Sequence, residues 1–109
     1  MPEFLQVVTT VDDEQHATNI AQQLVESRLA ACVQVKGPFT STYWWEGKIE
    51  SAREWSCVIK TSSKRYDEVE EKIRALHPYE EPEILAFPVV KGSESYLRWL
   101  SSIVDSTSD

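Results

Sequence analysis

The sequence predicts a single α+β domain over residues 1–109, with elements in the order β-α-β-β-α-β and one more helix at the end. Runs rich in β-branched and aromatic residues alternate with segments whose apolar residues recur at helical spacing. A Glu46-Gly47 pair divides two strand-like runs and predicts a hairpin turn. A chain of 109 residues is long enough for one modest core.

The first strand and helix follow from composition and from a capping pattern. Phe4 to Val11 is rich in β-branched and aromatic residues, which is typical of a strand. Asp12 is a candidate N-cap, with Gln15 in the capping-box position three residues later. The apolar residues that follow recur at helical spacing and predict a stripe that packs on a sheet: Ala17, Ile20, Ala21, Leu24, Val25 and Leu29.

The centre of the chain predicts a long, bent antiparallel hairpin around Glu46-Gly47. Gly37-Pro38 interrupts its first arm, and because proline cannot donate to a ladder, Pro38 indicates a bulge, a bend or an edge. Four runs have strand character, the third of them weakly: Ala31–Lys36, Phe39–Trp45, Lys48–Glu50 and Trp55–Thr61.

A second helix follows, with Ser62 or Ser63 as its predicted N-cap. Pro78 disfavours the helical state of the residue before it, so we expect the helix to end at His77. Its exposed face carries two favourable i,i+4 charge pairs, Glu68 with Lys72 and Glu70 with Arg74. Its apolar stripe is Tyr66, Val69, Ile73 and Leu76.

The last third of the chain predicts a stiff connection, a strand and a third helix. Residues 77–83 contain two prolines, Ile84 to Val90 has strand character, and Ser93 is a candidate N-cap. We expect residues 105–109 to form a mobile tail, since they carry nothing to bury. The apolar residues of the third helix are Tyr96, Leu97, Trp99, Leu100, Ile103 and Val104.

This order predicts a ferredoxin-like sandwich. Right-handed crossovers place both main helices on one face of a four-stranded antiparallel sheet. The opposite face then needs a cover, for which the terminal helix and a neighbouring subunit are the candidates.

Three consecutive aromatic residues, Tyr43, Trp44 and Trp45, lead into the hairpin turn. Alternate residues of a strand face opposite sides, so Trp44 lies opposite the other two. A chain this short cannot easily cover both aromatic faces, which favours assembly with copies of itself through these residues. The alternative is an ordinary hairpin whose rings pack on their own domain.

Composition bears on partners and location. The net charge of −7 disfavours binding to nucleic acid, because an acidic surface repels phosphates. No stretch approaches the roughly 20 apolar residues of a membrane span. Met1-Pro2-Glu3-Phe4 lacks the pattern of a secretory signal, and we expect a cytoplasmic protein.

The chain has two cysteines, Cys32 and Cys57. If the hairpin pairs without a bulge, Cys32 lies opposite Thr61, and Cys57 is four residues along, roughly 13 Å away at about 3.4 Å per residue. A disulfide needs Cα atoms within about 7 Å. We therefore expect two free thiols.

Several segments together resemble the CutA family of divalent cation tolerance proteins, from the first strand to the last helix. The resemblance implies a ferredoxin-like fold, a tight homotrimer, and an association with tolerance to copper and other divalent metals, without a settled enzymatic activity. The segments that carry it are Ala30-Ala31-Cys32-Val33, Tyr43 to Glu50, Lys60-Thr61, His77-Pro78-Tyr79-Glu80, Pro82-Glu83 and Tyr96-Leu97-Arg98-Trp99.

The chain departs from some members of that family at positions tied to copper. Those members carry a cysteine near the end of the first strand and a second histidine just before the His-Pro pair. Here Thr9 and Thr10 occupy the strand end, and Leu76 precedes His77. Copper binding by that particular set of ligands is not expected in this chain.

His77 is the candidate metal ligand, since a largely neutral imidazole can bind copper(II), zinc or nickel together with glutamates such as Glu83. The alternative is that His77 makes local hydrogen bonds and positions the Pro78 turn. Cys32 is a candidate copper(I) ligand, against the alternative of an inert buried thiol. His16, on the outer side of the first helix, is expected to be solvated.

Lys60, Tyr79 and Glu83 are candidates for a cleft at a subunit boundary. A lysine there would attract an anion such as a small carboxylate, unless it pairs with a neighbouring glutamate. No catalytic triad, phosphate loop or Cys-x-x-Cys pair is present, and no obligatory cofactor is expected. We expect a trimer for metal tolerance or small-ligand sensing; the alternatives are an enzyme with His77 and a glutamate as acid and base, and a metabolite-sensing signalling trimer.

Overall fold

The computed structural model describes residues 2–105. The predicted element order is confirmed, and a short 3-10 turn, Ser63–Arg65, precedes the second helix. The elements are β1 Phe4–Val11, α1 Glu14–Glu26, β2 Cys32–Trp45, β3 Lys48–Ser62, α2 Tyr66–Leu76, β4 Leu85–Pro88 and α3 Glu94–Val104.

The four strands form one antiparallel sheet in the order β2-β3-β1-β4. This order confirms the ferredoxin-like prediction, since each βαβ crossover passes over one intervening strand. Strand β1 is central and pairs with β3 on one side and β4 on the other. Alternate β1 residues from Leu5 to Val11 are buried, as expected for a face covered by helices.

Helices α1 and α2 pack on one face of the sheet and enclose the main core. Ile20 and Leu24 of α1 and Ile73 of α2 are fully buried there against Val7 and Ile59 of the sheet. The stripe predicted for α1 is therefore confirmed in its centre. Burial of such side chains stabilises the domain by about 1.5–3 kcal/mol each.

Helix α3 packs on the opposite face and covers only part of it. Its buried residues Leu100 and Val104 contact Phe4 and Ala31 at one end of the sheet. Leu85 and Phe87 of β4 remain about half exposed on that side. We call the uncovered part of this sheet surface the open face.

The bulge indicated by Gly37-Pro38 is present, and it changes the register of the hairpin. Lys36 pairs with Ser56 but Phe39 pairs with Glu54, so two residues of β2 oppose one of β3, and β2 has one additional residue. Gly37 has φ +146°, and a Cβ there would lie 2.9 Å from the Glu54 carbonyl oxygen, which is why glycine occurs at this position.

Because of this bulge, the strand register that was predicted without a bulge is wrong by one residue. Cys32 pairs with Lys60 rather than with Thr61, and Cys57 pairs with Val35. The two cysteines are then three strand positions apart, about 10 Å. Both are free thiols, as predicted.

Two predicted helix caps are wrong. Asp13, not Asp12, caps α1, because its side chain accepts a hydrogen bond from the His16 backbone N–H at 2.8 Å. Neither Ser62 nor Ser63 caps α2 with its side chain, since the 3-10 turn intervenes. The cap at Ser93 is confirmed, with its hydroxyl accepting from the backbone N–H of Tyr96.

The charge pairs predicted on α2 are half confirmed. Arg74 Nε lies 3.2 Å from Glu70 Oε2, as expected for an i,i+4 pair. Glu68 instead contacts Arg65, at 2.9 Å, because the guanidinium of the 3-10 turn is within reach. Both pairs are largely exposed and add little to stability.

The end of α3 is held by hydrogen bonds. The carboxylate of Asp105 accepts from the hydroxyls of Ser62 and Ser101, each at 3.0 Å. The rest of the predicted mobile tail, 106–109, lies outside the described residues. Among residues 2–105, no helix combines the length and the apolar character that crossing a bilayer requires.

Candidate functional site

His77 ends helix α2 and uses both ring nitrogens for hydrogen bonds. Its ψ of 136° breaks the helix, as expected for the residue before Pro78. Its Nδ1 accepts from the Tyr79 backbone N–H at 3.1 Å, so the ring proton is on Nε2, which donates to the Thr10 carbonyl oxygen at 2.8 Å. These are the contacts of the alternative interpretation, in which His77 positions the turn.

The environment of His77 favours its neutral form. Burial lowers the pKa of His77 below its usual value, although the Thr10 carbonyl acts in the opposite direction. A neutral imidazole has one acceptor nitrogen, and here Tyr79 occupies it. A metal ion at His77 would have to displace that bond.

Tyr79 extends this network to the hairpin. Its hydroxyl donates to Glu54 Oε2 at 2.7 Å, and its ring contacts the His77 ring with centroids 4.8 Å apart. Burial, reinforced by the Glu54 carboxylate, raises the pKa of Tyr79 far above its usual value, so the phenol stays protonated. The connection after α2 is thereby joined to both β1 and β3.

A groove of about 690 Å³ lies between this connection and the aromatic arm of the hairpin. Thr10, Ser41 and Thr42 complete its lining. We call it the aromatic–acidic groove. The aromatic residues that border it are Tyr43, Trp44, Trp45 and Tyr79, and the charged residues are Glu54, Glu80, Glu81 and Glu83.

Glu54 is the most deeply placed carboxylate of this groove. The residue is only 7% exposed, and no Lys, Arg or His side chain among residues 2–105 forms an ion pair with it. Its charge contributes to raising the pKa of Glu83, although burial of Glu83 is the larger cause. The groove therefore carries a concentration of negative charge.

The predicted cleft residues are only partly brought together. Tyr79 and Glu83 line the groove, but Lys60 does not; its Nζ donates to Gln34 Oε1 at 3.0 Å. Lys60 pairs with Gln6 along the sheet, four positions from Thr10, or about 13 Å. Within one protomer Lys60 therefore lies away from Tyr79 and Glu83, and the predicted cleft at a subunit boundary, which involves a second protomer, stays a prediction.

Cys32 pairs with Lys60. Along the strand direction it is therefore also displaced by four positions from Thr10, the residue that His77 contacts. It is half-buried rather than enclosed, whereas Cys57 is fully buried. Burial raises the pKa of the Cys57 thiol to about 11. Within the protomer, the three candidate metal ligands His77, Cys32 and Glu83 do not converge on one point.

The one group of three potential metal ligands among residues 2–105 is Asp12, Asp13 and His16 at the start of α1. His16 is therefore not simply solvated, since its Nδ1 lies 2.8 Å from Asp12 Oδ1. This hydrogen bond is the main cause that raises the pKa of His16, with burial opposing it. Both carboxylates thus already contact the His16 ring, Asp12 at 2.8 Å and Asp13 at 3.5 Å.

The aromatic residues of the hairpin remain accessible in the protomer. Trp44 is 72% exposed and Trp45 50%, so their own domain does not cover them. Sequence reasoning singled out these residues but missed Glu54, a single glutamate between Arg53 and Trp55. Neither periodicity nor a motif marks that position, and only the Tyr79 contact reveals it.

These features define a class: a ferredoxin-like α+β protein with a half-covered sheet, an aromatic hairpin and an acidic groove. Residues 5–103 match the model of one family, described as the CutA1 divalent ion tolerance protein. The chain is 43% identical over 94 residues to the divalent-cation tolerance protein CutA of Thermus thermophilus, covering 86% of this chain and 91% of that one. The chain belongs to the CutA1 family.

Solved structures agree with this assignment. The crystal structure of CutA1 from the psychrotrophic bacterium Shewanella sp. SIB1 has a TM-score of 0.93 at 38% identity, covering 96% of this chain and 98% of that one. CutA from Xylella fastidiosa has a TM-score of 0.92 at 37% identity, covering 94% and 99%. The family description names tolerance of divalent ions and no reaction.

Proposed function

We propose that this protein acts in the tolerance of divalent metal ions, copper among them, as a homotrimer. The exposed aromatic hairpin carries the proposal of assembly, since Trp44 and Trp45 are uncovered in the protomer. The open face adds Leu85 and Phe87, and exposed Trp99 on α3 adds a further apolar side chain. Membership of the CutA1 family supports the role in divalent ion tolerance.

Assembly is tested by replacing Trp44 and Trp45 together with serine. The double variant should dissociate at protein concentrations where the wild type stays associated, because two large apolar surfaces would no longer be buried. Val25→Ser is the control, since it removes an exposed apolar side chain from α1 on the opposite side of the sheet. Light scattering that finds a stable wild-type monomer at micromolar concentration would contradict the proposal.

We propose that a metal ion contacts His77 only in the assembled trimer. In the protomer its one acceptor nitrogen is occupied by Tyr79, and among residues 2–105 it belongs to no group of three potential metal ligands. Glu83 or Cys32 of a neighbouring subunit would supply the missing ligands. Binding of this kind should be weak in the isolated chain and should be lost as the pH falls below about 6.5, because protons compete for the imidazole of His77, whose pKa is lowered by burial.

Calorimetry with copper(II) and zinc on wild type, His77→Ala and His16→Ala tests this assignment. Loss of binding only in His77→Ala supports it. Loss only in His16→Ala would place the ion with Asp12 and Asp13 at the start of α1. Identical binding by the wild type and His77→Ala would show that His77 is structural.

The groove favours a second function, the sensing of a small ligand. Its size suits a small molecule, and its polar groups converge beside aromatic rings. His77 does not line it, so the groove does not offer the His–Glu acid–base pair that an enzyme was expected to use. A thermal-shift screen with metals, nucleotides and carboxylates separates the two functions, since a ligand that binds only the native state raises Tm.

A further inference from the structure

We propose that Lys60 of one subunit forms an ion pair with Glu54 of its neighbour, inside the aromatic–acidic groove, when the protein assembles. The inference rests on the proposed assembly and names one pair of residues that holds it together. Within one protomer both residues lie on strand β3, six residues apart, or about 20 Å at about 3.4 Å per residue. They are too far apart to meet within one chain, so the pair joins two chains.

Glu54 lacks a positive charge from its own chain. The residue is only 7% exposed, and buried charges are normally paired, because an uncompensated charge is costly to remove from water. Among residues 2–105 its side chain accepts one hydrogen bond, from the neutral Tyr79 hydroxyl. The adjacent cation Arg53 lies instead over the Trp55 ring, 5.8 Å from its centroid. A cation from a second subunit would therefore complete the site.

Lys60 is a cation on the open face without an acidic partner in the described part of its own chain. Its neighbours along β3, Ile59 and Thr61, are buried beneath the helices, so the Lys60 side chain lies on the other side of the sheet. Its Nζ donates to the neutral amide of Gln34 at 3.0 Å and forms no ion pair within residues 2–105. Lys60 can therefore exchange an amide for a carboxylate without losing an existing ion pair.

Lys60 also lies among apolar residues that assembly is proposed to cover. One row of paired residues runs across the sheet from Lys60 on β3 through β1 to Phe87 on β4, which is about half exposed. The groove that contains Glu54 is likewise bordered by the exposed Trp44 and Trp45. A contact that buries both sets of apolar side chains removes both charges from water together, which strengthens their mutual attraction.

The symmetry of a closed trimer permits this pairing. The contacts in a threefold ring join two different patches of the same chain. Here the acidic groove is one patch and the part of the open face around Lys60 is the other, so their charges are opposite. Opposite charges fix the orientation of such a contact in a chain whose net charge of −7 otherwise repels its copies. Lys60 would then lie beside Tyr79 and Glu83 of the neighbouring subunit, as in the predicted cleft.

Subunit exchange tests the pair. Isotopically labelled and unlabelled chains are mixed at a temperature where the wild type exchanges measurably, and native mass spectrometry follows the formation of mixed trimers. Loss of one partner of a buried charge pair mainly speeds dissociation. Lys60→Gln and Glu54→Gln, which keeps an acceptor for Tyr79, should each exchange at least about tenfold faster than the wild type.

The double variant decides whether the two residues act on each other. Glu54→Gln combined with Lys60→Gln should exchange at about the rate of the faster single variant, because the second substitution leaves no further charge unpaired. If the two residues act separately, their accelerations should multiply. Multiplied accelerations would overturn the inference.

Lys36→Gln is the matched control, since it removes the same charge from an exposed lysine on the same face of the sheet. Its exchange rate should stay within about twofold of the wild-type rate. Acceleration by Lys36→Gln equal to that by Lys60→Gln would show a response to net charge alone. Acceleration by Lys36→Gln without any by Lys60→Gln would assign a different cation to Glu54. Either result would overturn the inference.

The same samples separate this inference from the assembly on which it rests. A wild-type trimer whose exchange rate is unchanged by Glu54→Gln and Lys60→Gln would overturn the ion pair and leave the assembly standing. A wild-type protein that is monomeric at micromolar concentration would overturn both.

Discussion

Thr9 on the central strand β1 is a buried polar residue without a partner, and replacing it with valine should stabilise the protein. The residue is fully buried, and its Oγ1 has no hydrogen-bond partner among the described residues. Burial of an unpaired hydroxyl costs about 1–3 kcal/mol. Valine keeps the shape of threonine and replaces the hydroxyl by a methyl group.

Thr61 on the adjacent strand β3 provides a matched control. It is also fully buried on the same face of the sheet, but its Oγ1 donates to the Leu29 carbonyl oxygen at 2.7 Å. Thr61→Val removes this hydrogen bond and should cost about 1–2 kcal/mol. Thr9→Val should raise the free energy of unfolding by about 1 kcal/mol, so the two variants should differ by about 2–3 kcal/mol.

Urea denaturation at a fixed protein concentration measures this difference. The concentration must be held constant because subunit association is coupled to unfolding. In a thermal melt, Thr9→Val should raise Tm by about 4 °C and Thr61→Val should lower it. If Thr9→Val destabilises the protein as much as Thr61→Val does, the reasoning is refuted, because the Thr9 hydroxyl must then have a hydrogen-bond partner.

The two histidines should titrate in NMR on opposite sides of about pH 6.5: His77 below it, because burial lowers its pKa, and His16 above it, because Asp12 raises its pKa. Since the pKa of His77 is lowered on folding, neutral His77 stabilises the folded protein above about pH 6.5, and this stabilisation is lost as the pH falls through the folded-state pKa. His77→Gln should remove this pH-dependent loss of stability. An acid unfolding profile that is the same in the variant and the wild type would contradict the assignment. Iodoacetamide should label Cys32 of the native protein before Cys57, because the Cys57 thiol is buried and has a pKa of about 11. Denaturation without reductant should make both thiols available for labelling. Equal labelling rates of the two thiols in the native protein, or a denatured species that carries neither label, would contradict this prediction.

The sequence predicted the elements whose signals are local. Ile20 and Leu24 recur at helical spacing and are buried on α1, and Ser93 caps α3 as a single-residue signal. Pro78 ended α2 where expected, because its steric effect acts on the preceding residue. The strand order followed from the handedness of crossovers, which depends on element order alone.

Local choices between neighbouring residues were harder to predict. Asp12 and Asp13 are equivalent as N-caps by composition, and the helix start selects Asp13. The Gly37-Pro38 bulge was indicated, but its effect on pairing depends on how many residues leave the ladder. A one-residue change of register moved Cys32 from Thr61 to Lys60, because strand pairing is discrete.

The sequence by itself determined the fold class, the exposed aromatic hairpin and the family, since periodicity, turn residues and motifs all act over short distances. Only the tertiary structure decided the site. His77 contacts Thr10, 67 positions away, and Tyr79 contacts Glu54, 25 positions away. Such contacts depend on how α2 and the hairpin arrive at β1, and no pattern within either segment encodes the distance between them. The acidic groove is therefore a property of packing.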